Sequence, residues 1–139
     1  MHKKILHGLD GSEGSFKALR EAISLAKLYH AELHTLTVEE LPAYPETVGE
    51  VEEEKEALNG KYKEIIDKAT ELAEQEHIAI IPNLAYGHEV KEFVEFIKKE
   101  KFDLLVIGFM GHSKLYDRIW GGTSQNLARL APCTVMVVK

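Results

Sequence analysis

The run LLVIG at residues 104–108 carries the strongest fold signal, because four apolar residues in a row lead directly into a glycine. A strand with one exposed face alternates apolar and polar residues, whereas a parallel strand covered on both faces is apolar throughout. Leu104–Ile107 is therefore predicted to be a central strand of a parallel sheet. Gly108 is predicted to begin the loop that follows.

Strand and helix patterns alternate on both sides of this run. Apolar residues at spacings of three and four predict a helix after each of the first three strands. A fourth helix is predicted over roughly residues 123–130. The predicted strands are Ile5–Leu9, Leu33–Val38, Ile78–Ala85, Leu104–Ile107 and Thr134–Val138. This alternation predicts an α/β fold, with a single open, mostly parallel five-stranded sheet and helices on both faces. Pro82 favours an edge position or a bulge for the third strand.

Composition narrows the class of protein. We interpret the 139 residues as one domain, spanning residues 1–139. The net charge of −6 argues against a general nucleic-acid binder, which needs a basic surface. No apolar stretch approaches the roughly 18–20 residues that cross a bilayer, so no membrane partner is expected. The lone cysteine, Cys133, fits a reducing compartment, and we expect a cytoplasmic protein with a buried, inert thiol.

The segment between the last two predicted strands is the richest candidate for a binding site. In open α/β sheets, ligands bind beyond the carboxyl ends of the strands, where the winding reverses. The loop here has roughly 14 residues, against about 2–6 in a common connection. It leads into a helix start, where unpaired N–H groups and the helix dipole favour an anion such as phosphate. The candidate phosphate-binding residues are the glycines Gly108, Gly111, Gly121 and Gly122, the hydroxyl residues Ser113, Thr123 and Ser124, and Lys114.

The glycine spacing leaves an alternative open when it is taken alone. A flexible surface loop, in which Thr123 or Ser124 only caps a helix, would show the same pattern. The dinucleotide fingerprint G-x-G-x-x-G is absent after the first strand, and so is the phosphate-loop motif G-x-x-x-x-G-K-[ST]. The sequence therefore predicts neither a standard dehydrogenase nor a phosphate-loop enzyme.

Three motifs resemble the universal stress protein family. Gly108-x2-Gly111-x9-Gly121, followed by Thr123 and Ser124, resembles the ATP-binding motif of that family. Residues 5–13 are similar to its first strand and turn, and residues 131–138 are similar to its last strand. The resemblance covers essentially the whole chain. It implies the Rossmann-like fold of adenine nucleotide alpha hydrolase-like proteins, with strand order 3-2-1-4-5.

The resemblance also implies a role in ATP binding for each matching residue. Asp10 and Val38 would contact the adenine or ribose, and Gly8 would leave room beside them. Gly108 and Gly111 would let the backbone bend around the ribose and phosphates. The residues around the phosphates would be His112, Ser113, Lys114, Gly121, Gly122, Thr123 and Ser124. Mg²⁺ or Mn²⁺ would accompany ATP, coordinated largely by the phosphates.

One residue departs from the family pattern. Gly122 directly follows the third glycine of the motif, where the family usually has serine or threonine. The loss of one neutral hydrogen bond, about 0.5–1.5 kcal/mol, would lower affinity several-fold. Thr123 is positioned in the sequence to compensate.

These features predict an ATP-binding regulatory or stress-response protein with little or no turnover. One alternative is an interaction module of the same fold that has lost nucleotide binding, which Gly122 favours. Another is a slow ATPase that uses Lys114, Asp117 or Arg118. On the resemblance we also expect a homodimer that pairs through Thr134–Val138, provided that this strand lies at the sheet edge.

Several polar residues near the predicted strand ends have competing structural roles. Asp10 or Ser12 can cap the first helix, and His88 can cap the third helix or contact a ligand. His7 lies within a strand and is expected to be a packed or hydrogen-bonded core histidine. Trp120 is expected to anchor the long loop to the body of the protein.

Overall fold

The computed structural model describes residues 2–40, 48–109 and 122–139. Strands and helices alternate through these residues, as the sequence predicts. The elements are β1 (Lys4–Gly8), α1 (Glu13–Tyr29), β2 (Glu32–Glu39), α2 (Val48–Gln75), β3 (Ile80–Tyr86), α3 (Glu89–Glu100), β4 (Leu104–Gly108), α4 (Thr123–Leu130) and β5 (Thr134–Val138). The last helix and the last strand have the predicted bounds, and each of the other strands differs from its predicted bounds by one or two residues at one or both ends.

The strands of the described residues form one sheet in the order β3-β2-β1-β4-β5, which confirms the expected order. Every pair of neighbouring strands is parallel. The winding reverses between β1 and β4, because the chain first adds β2 and β3 on one side of β1 and then adds β4 and β5 on the other. Pro82 lies in the edge strand β3, where a missing N–H donor is tolerated, as predicted.

The core is split by the sheet into two layers. Residues of β1 and β4 alternate between these layers, so that Ile5 and Val106 lie on one face and Leu6 and Leu105 on the other. Helices α1 and α2 cover the first face, and α3 and α4 cover the second. All of β4 is buried, which confirms the two-sided burial expected of its apolar run.

Local signals set the ends of α1. Ser12 is its N-cap, and the Ser12 Oγ accepts a hydrogen bond from the Ser15 N–H at 3.1 Å. Asp10 is not the cap: its Oδ1 accepts from the Ser12 N–H at 2.8 Å and shapes the turn between β1 and the helix. The helix ends at His30, which takes a left-handed conformation with φ of 54°.

Candidate functional site

The candidate site lies where the carboxyl ends of β1 and β4 meet, at the reversal of winding. Gly8 ends β1 and Gly108 ends β4. A Cβ on Gly108 would lie 2.8 Å from the carbonyl oxygen of Gly14, in the first turn of α1. A Cβ on Gly8 would lie 3.0 Å from Cγ2 of Ile107 and 3.2 Å from Cζ of Phe93. Close packing against backbone therefore requires glycine at Gly108 whether or not a ligand is bound, whereas a side chain at Gly8 would be in tight contact with other side chains.

The start of α4 faces this edge without a side-chain cap. Gly122 is the N-cap residue, and no side chain of the described residues caps the helix there. The first N–H groups of a helix have no partner inside the helix, so these donors suit an anionic ligand. Gly122 has φ of −68° and ψ of 164°, a conformation open to any residue. The backbone conformation at this position therefore does not require glycine.

The two hydroxyl groups at this helix start are engaged by other parts of the protein. Ser124 Oγ donates to the carbonyl oxygen of Gly108 at 2.6 Å and lies 3.2 Å from that of Phe109. Thr123 Oγ1 donates to Oε2 of Glu89 at 3.3 Å. Donation from these hydroxyls to a phosphate stays a prediction, and it would require both of them to change partner. The main-chain N–H groups require no such change.

Glu89, which the sequence analysis did not select, is an acid at this edge with a strongly raised pKa. It is the first residue of α3, and its own N–H donates to Oε1 of Glu40 at 3.2 Å. Burial raises the pKa of Glu89 to about 7, and the negative charges of Asp10, Glu40 and Glu39 add to this effect, whereas the hydrogen bond from Thr123 opposes it. The sequence feature that could have identified Glu89 is its position directly after the turn that follows β3.

The structure brings the predicted site residues of the described segments to one edge of the sheet. Parallel strands end at the same edge, so Asp10 after β1 and Val38 near the end of β2 lie there with the start of α4. Five predicted site residues lie outside the described residues: Gly111, His112, Ser113, Lys114 and Gly121. Asp117, Arg118 and Trp120 also lie outside them.

Two histidines near the site have structural roles. His7 is fully buried in β1, and its Nε2–H donates to the Ser15 carbonyl oxygen at 2.8 Å, which confirms a core histidine. Burial lowers the pKa of His7 to about 4, so the ring is neutral near pH 7. His88 is the N-cap of α3, and its Nδ1 accepts from the Lys91 N–H at 3.4 Å. The capping role predicted for His88 is the one observed.

Cys133 is half-buried, so the prediction of a buried thiol is wrong. It directly precedes the edge strand β5, which has a neighbouring strand on one side only. Burial raises the pKa of the thiol, with a further contribution from Asp103, and this keeps it in the unreactive protonated form.

Within residues 2–40, 48–109 and 122–139, no three or more His, Cys, Asp or Glu side chains are grouped so as to hold a metal ion. No helix in this part of the chain has the length and apolar character needed to cross a membrane.

Comparison with known proteins shows to which family this chain is similar. The sequence model of the Universal stress protein family matches residues 1–139. Universal stress protein MJ0531 of Methanocaldococcus jannaschii is 31% identical over 141 residues, which cover 100% of this chain and 83% of the relative. The structure of universal stress protein UspA from Lactobacillus plantarum has a TM-score of 0.90 at 22% identity, covering 99% of this chain and 98% of the other. A universal stress protein solved in complex with cAMP has a TM-score of 0.76 at 25% identity, covering 99% and 97%.

Proposed function

This chain belongs to the universal stress protein family, and on that premise we propose that it binds ATP as a regulatory or stress-response ligand, with little or no turnover. The observation that carries the proposal is the start of α4, which has no side-chain cap among the described residues and faces the reversal of winding. The relative solved with cAMP supports an adenine nucleotide as the ligand class.

In this proposal the nucleotide lies across the carboxyl ends of β1, β2 and β4. The adenine and ribose contact Asp10 and Val38, beside Gly8, and the phosphates lie at the N–H groups that begin α4. The carboxylates at this edge oppose the phosphate charge, so the ligand requires a compensating cation. Lys114 and a Mg²⁺ or Mn²⁺ ion are the proposed sources of that charge. A phosphate-held ion would not need a cage of protein ligands.

Calorimetric titration with ATP and Mg²⁺ tests the proposal, together with mass spectrometry of small molecules released from freshly purified, denatured protein. We expect saturable binding, adenine nucleotide among the released molecules and negligible release of inorganic phosphate over time. No binding at millimolar ATP and no co-purified nucleotide would overturn the proposal. That outcome would favour an interaction module of the same fold, which Gly122 and the engaged hydroxyls of Thr123 and Ser124 support.

We further propose a cytoplasmic homodimer that pairs through β5. Thr134–Val138 is an apolar edge strand, and an edge of this kind offers unpaired N–H and C=O groups to a second copy. Light scattering should give about twice the chain mass of 15.7 kDa. A mass that stays at one chain over a wide concentration range would contradict pairing.

A further inference from the structure

Glu89 places a carboxyl group beside the proposed phosphate position. It begins α3, and its Oε2 accepts a hydrogen bond from Oγ1 of Thr123, the first residue of α4, at 3.3 Å. The two residues are 34 positions apart in the sequence, and the packing of α3 against α4 on one face of the sheet brings them together. The starts of α3 and α4 are therefore adjacent, and the Glu89 carboxyl group lies at the contact between them.

The charged groups that act on Glu89 from the described residues are carboxylates. Asp10 approaches from the turn after β1, and Glu39 and Glu40 approach from the end of β2. Glu40 also holds the backbone of Glu89 through the contact between its Oε1 and the Glu89 N–H. Burial and these negative charges together raise the pKa of Glu89 to about 7. Near neutral pH its carboxyl group is thus divided between the charged and the neutral form.

We propose that Glu89 is a further residue of the nucleotide site and that it couples phosphate binding to the uptake of one proton from solvent. The inference rests on the proposed function. A charged Glu89 carboxylate repels a phosphate at the start of α4, whereas a neutral carboxyl group can donate a hydrogen bond to a phosphate oxygen. Lower pH therefore strengthens binding through this residue.

The expected size of the effect follows from the fraction of protein that is competent to bind. If the neutral form binds and the group titrates near pH 7, about nine-tenths of the protein is competent at about pH 6 and about one-tenth at about pH 8. The apparent affinity for ATP should therefore fall about tenfold between these conditions. Calorimetry in buffers of different ionisation enthalpy should show nearly one proton taken up at the higher pH and little at the lower.

Glu89→Gln is the decisive variant, because glutamine keeps the size of the side chain and an oxygen that accepts from Thr123 but carries no charge. Glu95→Gln is the matched control: Glu95 is exposed on the same helix and pairs with Lys91. ATP with excess Mg²⁺ is titrated into all three proteins at about pH 6 and about pH 8, the span over which the group should titrate. Any titration of the ligand itself is common to the three proteins and cancels when their affinity ratios are compared.

We expect the affinity ratio between the two pH values to be about tenfold smaller in Glu89→Gln than in the original chain and in Glu95→Gln. Binding by all three proteins with parallel pH dependence would overturn this inference and leave the proposed function standing. A Glu89-dependent rise in affinity with pH would also overturn it, because the charged form would then assist binding. No binding by any protein at either pH would overturn the proposed function and this inference with it. If Glu89→Gln does not fold, proton uptake by the original chain is the test, and zero uptake at the higher pH would refute the coupling.

Discussion

Ser124 Oγ lies 2.6 Å from the carbonyl oxygen of Gly108 and donates a hydrogen bond to it. The contact joins the start of α4 to the end of β4, across the long connection between them. It therefore holds the helix start at the reversal of winding, where an anion can be bound by main-chain donors. Serine at this position has a structural role even without a nucleotide.

Ser124→Ala should lower the free energy of unfolding by about 0.5–1.5 kcal/mol, because one neutral hydrogen bond is lost. Urea unfolding of the nucleotide-free protein measures this change. Ser24→Ala, at an exposed position in α1, is the control and should show no comparable loss. Equal stability of Ser124→Ala and the original chain would mean that the contact does not hold the helix in solution.

Gly122→Ser should strengthen both α4 and ATP binding. The backbone at Gly122 already has the extended conformation of an N-cap, so a serine hydroxyl can accept from the helix N–H groups or contact a phosphate. We expect a gain of a few tenths of a kcal/mol in stability and a several-fold gain in affinity. Unfolding and calorimetric titration give the two values.

The matched control for Gly122→Ser is Gly60→Ser, in α2, where an added Cβ meets nothing within 4 Å. This substitution should improve helix stability through propensity alone and leave ATP affinity unchanged. A similar affinity gain in both variants would show that the effect does not arise at the start of α4.

Gly108→Ala should destabilise the protein by about 1–3 kcal/mol in the absence of any ligand, because backbone must move to admit the new Cβ. The Cβ would lie 2.8 Å from the carbonyl oxygen of Gly14. A substitution at Gly60 also serves as the control here: Gly60→Ala should stabilise α2 by up to about 1 kcal/mol. Unchanged stability of Gly108→Ala would contradict the packing requirement for glycine at this position.

The stability contributed by His7 should decrease as the pH falls from about 6.5 towards 4. Burial lowers the pKa of His7 in the folded protein from 6.5 to about 4, so between these values the unfolded chain binds a proton that the folded chain does not. The free energy of unfolding then falls by up to about 1.4 kcal/mol per pH unit through this residue. Above about pH 6.5 both states carry neutral histidine and the effect disappears.

Unfolding of the original chain and of His7→Gln over this pH range isolates the effect, since titration of the other groups is common to both proteins. The stability difference between them should shrink as the pH falls. His30→Asn serves as the control, because His30 is exposed and asparagine tolerates its left-handed backbone. A difference that stays constant with pH would show that His7 is protonated equally in both states.

Much of the fold could be predicted from local patterns. The apolar run of β4 indicated burial on both faces, and apolar residues at spacings of three and four indicated α1 and α3. These signals are local, because a strand covered on both faces is apolar throughout and an amphipathic helix repeats its burial pattern every three to four residues. The connectivity of one parallel sheet follows from their alternation, and the family resemblance supplied the strand order that the structure confirms.

The contacts between side chains of different helices and strands could not be predicted in the same way. Periodicity shows which face of a helix is buried, but not which polar side chain of another element it meets. The packing of α3 against α4 brings Glu89 within hydrogen-bond distance of Thr123. The close approach of β4 to α1 leaves no room for a side chain at Gly108. The sequence was therefore sufficient for the elements and for the edge at which a ligand would bind. Contacts between residues far apart in the chain determine the charge at that edge and the partners of its hydroxyl groups, because the tertiary packing alone sets those distances.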